Sequence, residues 1–141
     1  MEPGSNSDIA VRDRPRASAA VLRDAGREVL LVKHRRRDGS EFWQLPGGGM
    51  LPNERPEEAV LRELREETGL VGRIVRFLFT IPYKYGTSTT FLVEVDPAAR
   101  ACLGCDPEEA EADHRKLVDV AWFLLAEVRE NPEVKHLLRV L

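Results

Sequence analysis

The sequence predicts an α/β domain, and three observations carry that prediction. Two short apolar runs, Ser18 to Leu22 and Val29 to Lys33, flank Asp24, Ala25 and Gly26 as two strands flank a turn. A charged stretch from Pro56 to Thr68 has helical periodicity and ends at Gly69. Beyond it, Val71 to Ile81, Thr89 to Val95 and Leu117 to Phe123 have the length and the β-branched and aromatic content of strands. A chain of 141 residues fits one domain with a real core. Residues 1–15 are polar, hold Gly and Pro and show no sustained period, so they read as a flexible tail preceding a single domain over 16–141.

The helix follows from its residues. Pro56 suits a first helical position, Glu57 and Glu58 place negative charge at the positive end of the helix dipole, and Gly69 is a C-terminal stop. At about 100° per residue, Glu63, Glu66 and Glu67 share one face, Val60, Leu61 and Leu64 form the adjacent apolar stripe, and Arg62 and Arg65 lie beyond. Like charges at these spacings repel by roughly 0.2–0.5 kcal/mol per pair. A hard cation turns that repulsion into binding. Carboxylate oxygens with no Cys or His among them suit Mg²⁺, with Mn²⁺ as a substitute, and Glu54 in the preceding loop could reach the same ion. On charge alone, the ordinary reading of such a helix is a solvated outer face.

The loop before the helix decides between the two. From Gly48 through Glu54, Arg62, Glu63, Leu64, Glu66, Glu67, Gly69 and Leu70, the spacing resembles the complete 23-residue box of the Nudix hydrolase family. At ordinary residue frequencies a chance match in a chain this long is roughly one in a million. Trp43, Gln44, Leu45, Pro46 and Gly47 are similar to the family's lead-in. The resemblance implies an α/β/α sandwich with a mixed β-sheet and a hydrolase cleaving a pyrophosphate that links a nucleoside to a group X. Carried over residue by residue, Glu63, Glu66 and Glu67 are metal ligands, Glu63 is also a candidate to activate water, Arg62 orients a glutamate, Glu54 supports the metal and the Gly47, Gly48 and Gly49 backbone shapes the phosphate loop. Arg55 stands where a capping Ser is common, which forgoes about 1 kcal/mol, and Leu51 and Asn53 replace a frequent Glu and Gly. Asn53 is the mildest departure, since Asn tolerates the left-handed conformation.

Outside the box the residues are less specific. His34, Arg35, Arg36 and Arg37 put four potentially cationic side chains on an expected loop, where Arg35 and Arg37 are candidates to steer phosphate against the plainer reading of a solvated loop. Phe42 and Trp43 read as core, and Tyr83 and Tyr85 as packing residues with a weaker claim to nucleotide contact. Cys102 and Cys105 form one CxxC, half of a zinc tetrahedron, and read as two reduced thiols. Family members often recruit a further carboxylate from the segment before the last strand, and Glu111, with Asp113 next, is the candidate. Leu124 to Arg129 and Glu133 to Val140 read as helical, divided near Asn131 and Pro132.

A net charge of −3 argues against an extended nucleic-acid footprint, and the absence of a long apolar run against a membrane span. The expectation is therefore a cytoplasmic enzyme acting on a small nucleotide, a homodimer being possible. ADP-ribose or a related nucleotide sugar comes first among substrates. A nucleoside triphosphate, including oxidised ones, or a non-catalytic nucleotide-binding module is the alternative, and RNA-cap hydrolysis is a lesser possibility.

Overall fold

A computed structural model describes residues 14–83, 86–104 and 116–141. Its elements run β1 (Arg16–Arg23), β2 (Glu28–Arg35), β3 (Glu41–Gln44), β4 (Gly47–Gly49), α1 (Pro56–Thr68), β5 (Gly72–Tyr83), β6 (Gly86–Val95), β7 (Lys116–Leu124) and α2 (Pro132–Val140). Asp24, Ala25 and Gly26 turn between β1 and β2, all three at positive φ.

β1 organises the sheet. It meets β2 only beside the turn, at Leu22↔Val29 and Arg23↔Glu28, and the two then diverge. Arg16 to Val21 pair parallel with β6, from Arg16↔Ser88 to Val21↔Val93, and Arg16 to Ser18 pair antiparallel with β4, with Ala17 opposite Gly48. β2 in turn pairs antiparallel with β3 and β7, and β5 with β6. The sheet is thus mixed, as expected.

Burial on both faces explains why β1 reads as a continuous run of small apolar residues rather than an alternating one. Ala17, Ala19 and Val21 pack with Ala59, Val60 and Leu64 of α1. Ala20 belongs to the opposite cluster, with Val134 and Leu137 of α2. Two helices on two faces make the α/β/α sandwich. Among the described residues no helix is long and apolar enough to cross a membrane.

Three expectations are corrected. Gly47 to Gly49 is a short strand, not a loop, because β1 supplies a partner that no local pattern announces. His34 is on β2 rather than on the basic loop and is buried. Leu124 to Arg129 is a succession of tight turns, with Glu127 N–H donating to Leu124 O and Val128 N–H to Leu125 O, and not a helix. Helix begins only where the Asn131 side chain accepts the N–H groups of Glu133 and Val134.

At α1 the Arg55 side chain makes no capping hydrogen bond and pairs with Glu58 at 3.6 Å, while the Glu58 carboxylate reaches back to the Arg55 N–H at 2.9 Å. Half of a capping box is therefore in place. Arg55→Ser should complete it and raise unfolding free energy by about 1 kcal/mol, as read from urea denaturation; no gain would show that the present cap is already sufficient.

Candidate active site

The site is built where α1 passes under β4. Glu63 and Glu67 lie on the buried side of the helix, 3% and 5% exposed, and Glu66 is at its margin. Arg62 gathers the cluster. Its Nε and Nη2 donate to the two Glu54 oxygens at 2.7 and 3.0 Å, its Nη1 to Glu63 at 3.1 Å and to Glu66 at 3.0 Å, and Nη2 also to the Gly49 carbonyl at 3.0 Å. One guanidinium thus ties the loop, the helix and the glycine strand together. The bidentate fork holds the Glu54 carboxyl below its ordinary value, and the carboxylates around Arg62 raise the guanidinium further.

Glu67 faces the other way. Its Oε1 accepts the Gly47 N–H at 2.8 Å, and its Oε2 is 3.9 Å from His34 Nε2. His34 lies in unbroken register with Phe42 of β3, while on its other side the β2–β7 ladder shifts between Lys33 and His34 with the extra residue, Val118, on β7. Gln44 Nε2 lies 3.0 Å from the same ring nitrogen, and Phe42 stacks on the ring.

Two glycines are dictated by what surrounds them. A Cβ on Gly48 would stand 2.7 Å from the Glu63 carboxylate, and one on Gly47 would stand 2.3 Å from the Ala17 carbonyl oxygen. The first neighbour is the end of a flexible side chain and the second is backbone. Asn53 adopts φ 66°, the left-handed conformation anticipated for it.

The carboxyl end of α1 is closed by a distant loop, with Cys102 N–H donating to Thr68 O and Gly104 N–H to Glu67 O. Cys102 is disulfide-bonded, which corrects the expectation of a reduced thiol there; the CxxC spacing puts a second sulfur close at hand. Cys105 lies outside the described residues, as do Tyr85, Glu111 and Asp113.

The remaining candidates separate. Arg35 sits next to His34 on β2, and alternation along the strand aims it away from Glu67; its guanidinium bonds Glu41 at 2.9 and 2.7 Å. Arg37 is exposed on the following turn. Tyr83 donates its hydroxyl to the Arg14 carbonyl, a structural bond. Trp43 packs edge-on against Phe123 in the core, as expected, whereas Phe42 lies under Arg36 at the rim.

Sequence reasoning missed three features. A cleft of about 540 Å³ flanks Glu54 and is lined by Arg14, Pro15, Met50, Leu51 and Asn53. On the α2 face, Arg16 Nη2, Ser18 Oγ, Ser88 Oγ and Thr90 Oγ1 are buried with no hydrogen-bond partner among the described residues, at positions that pair Arg16 with Ser88 and Ser18 with Thr90. Glu133 of α2 accepts the Leu45 N–H at 3.0 Å, and burial pushes its carboxyl up against the opposing charge of Arg16. None of these has a local signal, although hydroxyls inside the apolar β1 and β6 runs were visible as an irregularity.

The acidic side chains suit a hard cation in charge and donor chemistry, and among the described residues no three of them stand grouped as metal ligands. Arg62 carries one positive charge against the three carboxylates it bonds, Glu54, Glu63 and Glu66, and Glu67 adds a fourth carboxylate nearby, so the cluster keeps an excess of negative charge that attracts a cation. All oxygens are hard donors.

Two outcomes follow. Gly48→Ala should stay folded, because Glu63 can swing aside, and should weaken Mn²⁺ binding about tenfold or more; Gly47→Ala should instead lower the melting temperature, and a reversed pattern would contradict the packing described. The Glu54–Arg62 contribution to stability should be complete above pH 4.5, the ordinary value, and should fade as pH falls through the depressed one. Denaturation of wild type and Glu54→Gln between pH 7 and pH 3 reads this as a difference that closes only on the acid side.

Comparison with known proteins agrees with the fold. An RNA pyrophosphohydrolase of Xanthomonas campestris is 45% identical over 69 residues, which are 49% of this chain and 32% of that protein. The chain therefore matches about a third of the length of such relatives. Among solved structures, MutT studied from Aliivibrio salmonicida and Vibrio cholerae superposes with a TM-score of 0.65 at 19% identity, covering 89% of this chain and 96% of that one. An ADP-ribose pyrophosphatase of Streptococcus suis gives 0.59 at 20%, covering 80% and 75%. At these identities the structures establish the fold. Residues 13–141 match the NUDIX domain as a whole, and the chain belongs to that family.

Proposed function

We propose that the chain is a divalent-metal-dependent pyrophosphohydrolase acting on a nucleoside diphosphate linked to a group X. The observation that carries this reading is the placement of Glu54, Glu63 and Glu66 around Arg62, with Glu67 bonded to Gly47, beside the Gly47–Gly49 strand. Glu63, Glu66 and Glu67 would hold Mg²⁺, with Mn²⁺ as a substitute and Glu54 in support. When bound, the cation supplies charge that polarises a phosphoryl oxygen and lowers the pKa of water.

The chain's own residues do the rest. A glycine strand with no side chains lets phosphate approach the backbone closely. The Glu63 carboxylate, held by Arg62, accepts the proton of the attacking water. Arg62 keeps the carboxylates apart at fixed positions, so the repulsion between them is already balanced before substrate arrives.

For the substrate, ADP-ribose or a related nucleotide sugar stays first. The cleft beside Glu54 offers a cation, Arg14, and the apolar side chains of Met50 and Leu51, a pairing that suits a phosphate and a base or sugar. A second reading, the 5′-triphosphate end of RNA, is favoured by the name of the Xanthomonas relative. A single end needs few basic contacts, so net charge does not weigh against it.

A Mg²⁺-dependent product assay over ADP-ribose, a nucleotide sugar, nucleoside triphosphates and a 5′-triphosphorylated oligonucleotide chooses among these. Nucleoside monophosphate plus sugar phosphate would support the first reading, and pyrophosphate release from RNA the second. Glu67→Gln should reduce turnover by about 10²–10⁴ while leaving the melting temperature near wild type, since the amide oxygen can still accept from Gly47. Binding of nucleotide with no turnover of any compound would place the chain among non-catalytic modules.

A further inference from the structure

The segment joining β3 to β4 is held from both faces of the sheet. From the α1 side, Glu67 accepts the Gly47 N–H at 2.8 Å. From the α2 side, Glu133 accepts the Leu45 N–H at 3.0 Å, and Asn131 Nδ2 donates to the Trp43 carbonyl at 2.9 Å. Between the two carboxylates, the Pro46 carbonyl accepts the Ala19 N–H of β1 at 2.8 Å. Alternate amides of one extended stretch are thus gripped by carboxylates of two helices that lie on opposite sides of the molecule.

We propose that Glu133 is a positioning residue for the glycine strand: through Leu45 N–H, α2 fixes the distance of Gly47 from Glu67 and so the seat of the phosphate over the α1 carboxylates. The functional half of this statement rests on the reading of Gly47–Gly49 as phosphate-binding backbone. The mechanical half does not.

The placement has a reason. Leu45 is itself fully buried in the α2-side core, so its N–H needs a protein acceptor, and no β1 residue pairs with it in the ladder that begins at Gly47. Pro46, which has no N–H, cannot help hold the turn from strand to strand. Asn131 serves twice, capping α2 through Oδ1 and reaching Trp43 through Nδ2, so the start of the helix is locked to the same segment. Arg16 and His136 are the charged and titratable groups that bear on the Glu133 carboxyl, and burial holds it above its ordinary value. A neutral amide of the same shape should therefore do the same work, because the bond that matters needs only an acceptor oxygen.

The test uses the full chain with Glu133→Ala and Glu133→Gln. Amide hydrogen exchange by NMR, without metal or nucleotide, should speed up about tenfold or more at both Leu45 and Gly47 in Glu133→Ala, with Leu64 and Phe91 unchanged. Glu133→Gln should restore the wild-type rates. With Mg²⁺ and ADP-ribose or a 5′-triphosphorylated oligonucleotide, whichever the wild type consumes, Glu133→Ala should lower kcat about 10–100-fold with KM within a factor of about two, and Glu133→Gln should recover it. Faster exchange at Leu45 alone, or a change confined to KM that Gln does not rescue, would overturn the proposal, the latter assigning Glu133 to substrate contact. If the wild type consumes neither compound, the exchange at Gly47 still decides the mechanical statement, and the failure belongs to the functional reading.

Discussion

The structure depends on a problem of charge. Three carboxylates, Glu54, Glu63 and Glu66, are drawn together around Arg62 at the edge of the core, with Glu67 buried beside Gly47, and burial makes ionised oxygen costly. Arg62 is the answer the chain carries within itself. Its fork saturates Glu54, its third nitrogen lies between Glu63 and Glu66, and its bond to the Gly49 carbonyl makes the neutralising group also the fastener of the glycine strand. A lysine could supply the charge but not these five directed donors. Most buried ion pairs are weak arguments for stability; on the function proposed above, this one holds repelling groups in place for a cation.

The rest of the fold supports that arrangement by removing freedom. β1 gives the glycine strand its ladder, and its small residues let α1 approach the sheet closely enough for Glu63 to touch Gly48. The closed carboxyl end of α1, bonded to Cys102 and Gly104, keeps the last turn bearing Glu67 and Thr68 from fraying. The strand β2 carries His34 to within 3.9 Å of Glu67. Residues far apart in sequence thus converge on one short strand with no side chains of its own.

What was legible in the sequence follows from what is local. The acidic helix, its proline start and glycine stop, the turn at Asp24 to Gly26 and the strands around them depend on neighbours within a few residues, and they stand where periodicity placed them. The box glutamates were legible because their spacing is fixed by one helix. The grip of Glu133 on Leu45 spans 88 positions, and the pairing of Gly47 to Gly49 with Ser18 to Arg16 spans about 30; no window of sequence contains either. His34 was misplaced because four basic residues in a row resemble a loop, whereas the first two of them, His34 and Arg35, still belong to β2. Leu124 to Arg129 was misread for the opposite reason: a helical composition gave way to turns that let Leu125 bond Arg27 and deliver the chain to the Asn131 cap.

The central claim is that Arg62 organises the carboxylates for a metal rather than merely neutralising them. Mn²⁺ titration of wild type and Arg62→Lys, followed by electron paramagnetic resonance, tests it most directly because lysine keeps the charge and loses the fork. The account predicts that affinity falls about tenfold or more in the variant while helix content is retained. Equal or tighter Mn²⁺ binding in Arg62→Lys would contradict it, showing that the guanidinium competes with the metal for Glu63 and Glu66 instead of preparing them.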